Sequence, residues 1–231
     1  MKIAGKIILM MTFLAFFTVA VSAQENYWKW LNNKFEGYYQ AGDYRNAEAA
    51  AKESLAVAEK AYGPEHLNVA LSLRNLGEVY RMQKEYPEAE PLFKRALAIR
   101  EKAHGPESLD AAQVLNDLAN LYSAQKEYSA AEDFYKRSLA IFEKAHDPDQ
   151  AGLAVLFNNL GVVYFCEEKY TEAEPFFKKA LTIEEKANGL DSRVLLSILK
   201  NLEELYKRLG QKEESKKYED RIREIQSKKN S

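Results

Sequence analysis

The 231-residue chain carries 33 Lys and Arg against 35 Asp and Glu, a formal net charge of −2. That balance argues against a phosphate-tracking nucleic-acid binder, and 46% hydrophobic with 29% charged residues fits a folded rather than a disordered chain. With 10 Gly, 6 Pro, three His and the single Cys166, the sequence has too few turn formers for an all-β fold. It also lacks an intrachain disulfide framework and offers few soft ligands to a transition metal.

The first segment reads as an export signal. Lys2 and Lys6 give a positive start, and Ile7 to Val21 runs 15 residues interrupted only by Thr12 and Thr18. Val21-Ser22-Ala23 then places small residues where a signal peptidase reads, before Gln24 and Glu25. Fifteen apolar residues fall short of the ~20 that span a bilayer core, so residues 1–23 are expected to be removed. The alternative is an uncleaved membrane anchor. Cleavage would take away two Lys and no acid, moving the net charge to −4. The product is expected to be secreted or periplasmic, with no membrane span.

From residue 24 onward the chain writes one unit five times. Tyr38, Tyr80, Tyr122, Tyr164 and Tyr206 are each 42 residues apart. Tyr44, Tyr86, Tyr128 and Tyr170 follow in the same frame, as do Ala47, Ala89, Ala131 and Ala173. Breakers recur as Gly63-Pro64, Gly105-Pro106, Asp147-Pro148 and Gly189-Leu190. The units run approximately over 27–68, 69–110, 111–152, 153–194 and 195–231, filling 24–231 with no room for a separate catalytic domain. Self-similarity at this period signals a solenoid.

Within the second unit, Leu73, Leu76, Gly77 and Tyr80 share one helical face, and Ala89, Phe93 and Ala96 make a second. Pro91 and Pro175 are tolerable only near a helix start, which places those starts near Glu85 and Lys169. The order Leu73, Leu76, Gly77, Tyr80, Ala89, Phe93, Ala96 resembles the tetratricopeptide repeat signature, and the 42-residue period resembles its longer variant in kinesin light chains. The resemblance implies an all-α, right-handed superhelical solenoid of about five helix pairs. The end units depart from it. The first has Lys34 and Phe35 where the second has Leu76 and Gly77, and Ala51 in place of Phe93; the fifth has Glu203, Ser215 and Glu219 at the Gly77, Ala89 and Phe93 positions. Polar outer faces are expected in terminal repeats, with 213–226 as the C-terminal cap.

No constellation for catalysis is present: there is no phosphate-cradling glycine loop, nucleophile elbow or metal motif. His104 and His146 hold equivalent positions at helix ends, where an imidazolium suits the dipole. The chain is therefore expected to be a non-catalytic scaffold with no cofactor and no metal.

The resemblance implies that the first helix of each pair lines a concave face. The exposed stripe of those helices takes in Asn32, then Arg74 and Glu78, then Asn116 and Asn120, then Val155, Asn158, Val162 and Phe165, then Lys200 and Glu204. Asn33, Asn75, Asp117, Asn159 and Asn201 border it at 42-residue steps. Their amides can bind a peptide backbone or hold the stack together. The fourth unit's stripe is unusually apolar, which marks it as a binding-site candidate, with Phe165 as anchor and Lys200, Lys207 and Arg208 attracting acidic residues. Glu78 and Glu204 argue against a carboxylate clamp of the kind chaperone-binding relatives use. The expected partner is a protein or peptide, as an extended segment or a helix. The alternative is a self-associating oligomer joined through Tyr27, Trp28 and Trp30.

Overall fold

The computed structural model describes residues 24–145 and 149–228. The export segment, His146 with the Asp147-Pro148 breaker, and the last three residues lie outside them. Every regular element among the described residues is helical. The first helix, α1, takes in the described residues 24–40. It is followed by α2 (Tyr44–Tyr62), α3 (Leu67–Gln83), α4 (Tyr86–His104), α5 (Leu109–Ala124) and α6 (Tyr128–Lys144). Then come α7 (Gln150–Cys166), α8 (Tyr170–Asn188), one 3-10 turn at Arg193–Leu195, α9 (Leu196–Arg208) and α10 (Lys212–Ser227). These are the five expected pairs, and α4 and α8 begin one residue after Glu85 and Lys169.

The 42-residue period is also a backbone period. The turn within each pair passes through a left-handed residue at Gly42, Lys84, Lys126, Glu168 and Gly210, with φ from 62° to 72°. The amide that follows it returns to the carbonyl of the repeated tyrosine. Examples are Glu85 N to Tyr80 O at 2.8 Å and Gln211 N to Tyr206 O at 2.9 Å. This closes the orphan carbonyls of the first helix in a Schellman-like cap. The glycine breakers end α2, α4 and α8 at Gly63, Gly105 and Gly189, where φ lies between 83° and 90°.

The chain forms two compact units, one ending at Pro106 and one beginning at Glu107. In the first, Phe35, Ala47, Ala50, Ala51, Leu76 and Val79 form a buried cluster. The Phe35–Ala51 departure is thus a size exchange, not a polar cap. The ring that the second repeat supplies from α4 comes in the first repeat from α1. Phe93 packs so tightly on Gly77 that an added Cβ would meet its ring at 3.0 Å.

In the second unit, Tyr135, Phe177, Leu115, Leu160 and Leu199 are fully buried. Phe177 covers Gly161, where a Cβ would lie 2.7 Å from the ring. The α10 helix turns Ser215, Ile222 and Ile225 inward and stacks Tyr218 on Tyr206 at 5.6 Å. Its outer face is polar, as a terminal helix requires.

Glu and Lys four residues apart on the second helices do more than pair with each other on a solvated face. Tyr164 Oη donates to Glu132 at 2.6 Å, and Tyr206 Oη donates to Glu174 at 2.7 Å. Lys136 and Lys178, four residues beyond each Glu, pair with it and lie over the same rings at 5.9 and 5.8 Å. In the first unit, Lys52 pairs with Glu48 at 2.6 Å and sits 5.5 Å from the Tyr80 ring. Each pair clasps the tyrosine of the following repeat, so a surface ion pair becomes an inter-repeat tie.

Candidate partner-binding cleft on the second unit

The asparagine positions are used first to hold neighbouring repeats. In the first unit, Asn75 Nδ2 donates to Asn32 Oδ1 at 2.9 Å, and Asn32 Nδ2 reaches the Trp28 carbonyl at 2.8 Å and Ser54 Oγ at 3.1 Å. Asn33 is exposed. In the second unit, Asn159 Nδ2 donates to Asn120 Oδ1 at 3.1 Å and Asn201 Nδ2 to Asn158 Oδ1 at 2.9 Å. Asp117 is buried, so it lies out of reach of a peptide on the surface. Because Asn159 turns to Asn120 rather than to Asn116, Asn116 Oδ1 is buried without a hydrogen-bond partner.

Glu78 is also occupied. Tyr39 Oη donates to it at 2.7 Å and Arg81 Nε at 2.9 Å. Burial opposes its charge, yet Arg81 and Tyr39 hold its carboxyl below the usual range. Burial, and then the bond to Glu78, push the Tyr39 phenol up. Arg74 and Glu78 are both half-buried.

The fourth repeat is arranged differently. Val162 and Phe165 from α7, Phe177 from α8, and Asn201 and Glu204 from α9 line a cleft of about 90 Å³. Phe177 is its floor, only 1% exposed. Phe165 is a half-buried wall whose ring meets the Tyr170 ring edge-on at 5.2 Å. Val155, ten residues before Phe165 on the same helix, is 48% exposed. Four of the five lining residues belong to the stripe or border read from the sequence. Phe177 was missed, because its position reads as core.

The preceding repeat explains why the cleft is open. One period earlier, Asn120 takes the place of Val162 and Tyr135 that of Phe177. There Tyr135 Oη donates to Asn120 Oδ1 at 2.5 Å, and Asn159 donates to the same oxygen. A hydroxyl and an amide fill that space. Their replacement by the Val162 methyl groups and the bare Phe177 ring edge leaves two apolar side chains that cannot hydrogen-bond across the space. The sequence contains this signal as the pairwise change Asn120/Tyr135 to Val162/Phe177.

Electrostatics at the rim correct one expectation. Arg208 Nε bonds Glu204 at 2.9 Å and Lys207 bonds Glu203 at 2.6 Å. These cations are neutralised within α9, so the fifth repeat does not present the basic flank that would select acidic partners; Lys200 remains exposed. The aromatic cluster near the N-terminus also divides. Tyr27 and Trp30 are exposed, but Trp28 is 7% exposed and donates from Nε1 to Ser72 Oγ at 2.9 Å. Trp28 is core and cannot join a self-association surface.

Among the described residues no group of three His, Cys, Asp or Glu could hold a metal ion, and no helix is long and apolar enough to cross a membrane.

The tetratricopeptide repeat model matches residues 30–102, 75–144 and 152–228, and the chain belongs to that family. Solved structures share the fold at low identity. BtubC (BKLC) from P. vanneervenii is 21% identical with a TM-score of 0.73, over 93% of this chain and 92% of that one. A Podosopora anserina kinesin light chain protein with nearly identical TPR-like repeats is 20% identical with a TM-score of 0.70, over 90% and 97%. A Rap protein complexed with Competence and Sporulation Factor is 17% identical with a TM-score of 0.74, over 87% of this chain and 54% of that one. No curated protein matches the sequence. Membership of this family makes the chain a protein–protein interaction scaffold, and no catalytic family is indicated.

Proposed function

We propose that the chain acts outside the cytoplasm as a non-catalytic scaffold, and that its second unit takes an aliphatic side chain of a partner segment or helix into the Val162–Phe165–Phe177 cleft. The opening of that cleft at the fourth repeat, where the third repeat fills the same space, carries the proposal. Its size selects the side chain. An apolar cavity of ~150 Å³ accommodates benzene, and the cleft of about 90 Å³ suits Leu, Ile or Met better than an aromatic ring. Glu204 and Asn201 at the rim offer oxygens to the backbone N–H groups flanking such a residue. The Rap relative, whose solved complex holds Competence and Sporulation Factor, is consistent with this mode of use.

Selection of a random phage-displayed peptide library on the immobilised full chain tests the site. Enriched peptides should share a large aliphatic residue. Phe165→Ala should weaken them about ten- to a hundredfold, from ~1.5–3 kcal/mol of lost apolar burial. No enrichment, or unchanged affinity, rejects the cleft. For export, the motivation is the apolar run ending at Val21-Ser22-Ala23. Mass spectrometry of exported protein should find an N-terminus at Gln24. An intact Met1 on membrane-bound material would support the anchor instead.

A further inference from the structure

The cleft continues along α7. This helix, Gln150–Cys166, carries no charged residue. Val155, 48% exposed, stands seven residues before Val162 of the cleft. Two helical turns separate them, about 10.5 Å at 1.5 Å per residue, so both lie on the same side of α7. The polar side chains between them are Asn158 and Asn159. Each already commits an amide atom to a neighbouring repeat: Asn158 Oδ1 accepts from Asn201, and Asn159 Nδ2 donates to Asn120. The bond to Asn201 also sets the level of α9 beside α7. Lys200, next to Asn201, is exposed near the middle of the Val155–Val162 interval and makes no ion pair among the described residues.

On the footing that the cleft is the binding site, we propose that its occupant is an amphipathic helix lying antiparallel to α7. An aliphatic residue in its first turn enters the Val162–Phe165–Phe177 cleft, and a second one seven residues later covers Val155. An Asp or Glu three or four residues after the first faces Lys200. Backbone hydrogen bonding selects a helix over an extended strand. About three extended residues would cover the same interval, and their N–H and C=O groups would face α7 where only the committed Asn158 and Asn159 could answer them. A helix satisfies those groups internally. Its first turn is the exception, since the N–H groups there have no partner within the helix. Asn201 and Glu204 at the cleft rim supply oxygens for them, which fixes the direction. Charge agrees with that direction: the Glu204 carboxylate meets the positive end of the partner's dipole, and Lys200 meets the acid.

The peptides selected on the full chain supply the test. Their aligned sequences should show a second aliphatic residue seven positions after the first, with Asp or Glu between. An isotope-labelled peptide bound to the full chain should show helical Cα shifts. Val155→Ser should weaken it about three- to tenfold through the lost apolar contact. Lys200→Gln should weaken it about two- to fivefold, as an exposed ion pair would, and should leave unchanged the affinity of the same peptide with its acid replaced by Gln. Extended shifts, anchors three residues apart, or Val155→Ser and Lys200→Gln variants that bind like wild type overturn the helix, and the cleft still stands if Phe165→Ala weakens binding. No enrichment, or unchanged affinity in Phe165→Ala, removes the cleft and the helix together.

Discussion

The third and fourth repeats occupy the same frame of the second unit and differ in how they close against the next repeat. In the third, Tyr135 and Asn159 converge on Asn120 and fill the junction with hydrogen bonds. In the fourth, Phe177 and Val162 cannot do so, and a cleft of about 90 Å³ remains beside Phe165. Both turn within the pair through a left-handed residue, Lys126 and Glu168. Losing polar closure at one junction therefore opens an apolar cleft there, the one proposed to take a partner side chain, while the neighbouring junction stays closed by hydrogen bonds.

The largest expected effect concerns the tyrosines of these junctions. From the sequence, Tyr122→Ala would be worse than Tyr206→Ala, because Tyr206 lies in the terminal repeat. Tyr206 is nevertheless core: it is 2% exposed, bonded to Glu174 and stacked on Tyr218. Tyr206→Ala should cost ~3–5 kcal/mol despite its place in the terminal repeat, read by urea unfolding. A loss below ~1 kcal/mol would break the account of the clasp.

A smaller effect is expected at Gly161. The third repeat has Ala119 there, buried with Tyr135, but in the fourth the Phe177 ring would lie 2.7 Å from a new Cβ. Gly161→Ala should destabilise by ~1–3 kcal/mol through overpacking and exceed Gly77→Ala, where the corresponding distance is 3.0 Å. Calorimetric melting of the two variants decides the order.

The smallest effect is a pH dependence. Burial, and then the bond to Glu174, push the Tyr206 phenol from its ordinary 10.0 up to about 12. A raised folded value favours the neutral phenol, so this stabilisation is complete below pH 10 and is lost as the pH rises toward 12. Glu174 is held below its ordinary 4.5 by hydrogen bonds from Lys178 and then Tyr206, so its contribution is present above that pH and fades on acidification. Tyr206→Phe should reduce both dependences, as followed by unfolding at a series of pH values.

Much of this architecture was legible in the sequence because the 42-residue period constrains every layer at once. Tyr, Ala and the glycine breakers recur in step with helix faces and turns, and Pro91 and Pro175 placed two helix starts within a residue. The cleft was legible in part. Val162, Phe165, Asn201 and Glu204 stood out by composition or position, but Phe177 did not, since a floor residue looks like any core ring until the space above it is known. The pairing of Lys207 and Arg208 with Glu203 and Glu204 was also hidden, although the four-residue spacing allowed it. The inward turn of Trp28 beside the outward Trp30 depends on Ser72, 44 residues away, and no local pattern announces it.

The most direct test of the central claim exchanges the two junctions. Val162→Asn with Phe177→Tyr transplants the third repeat's closure into the fourth, and Phe165 is left in place. The account predicts that this double variant melts close to wild type while the affinity of a selected aliphatic peptide, measured by calorimetric titration, falls at least tenfold. Full retention of peptide affinity in a folded double variant would contradict the claim that the open junction is the binding site.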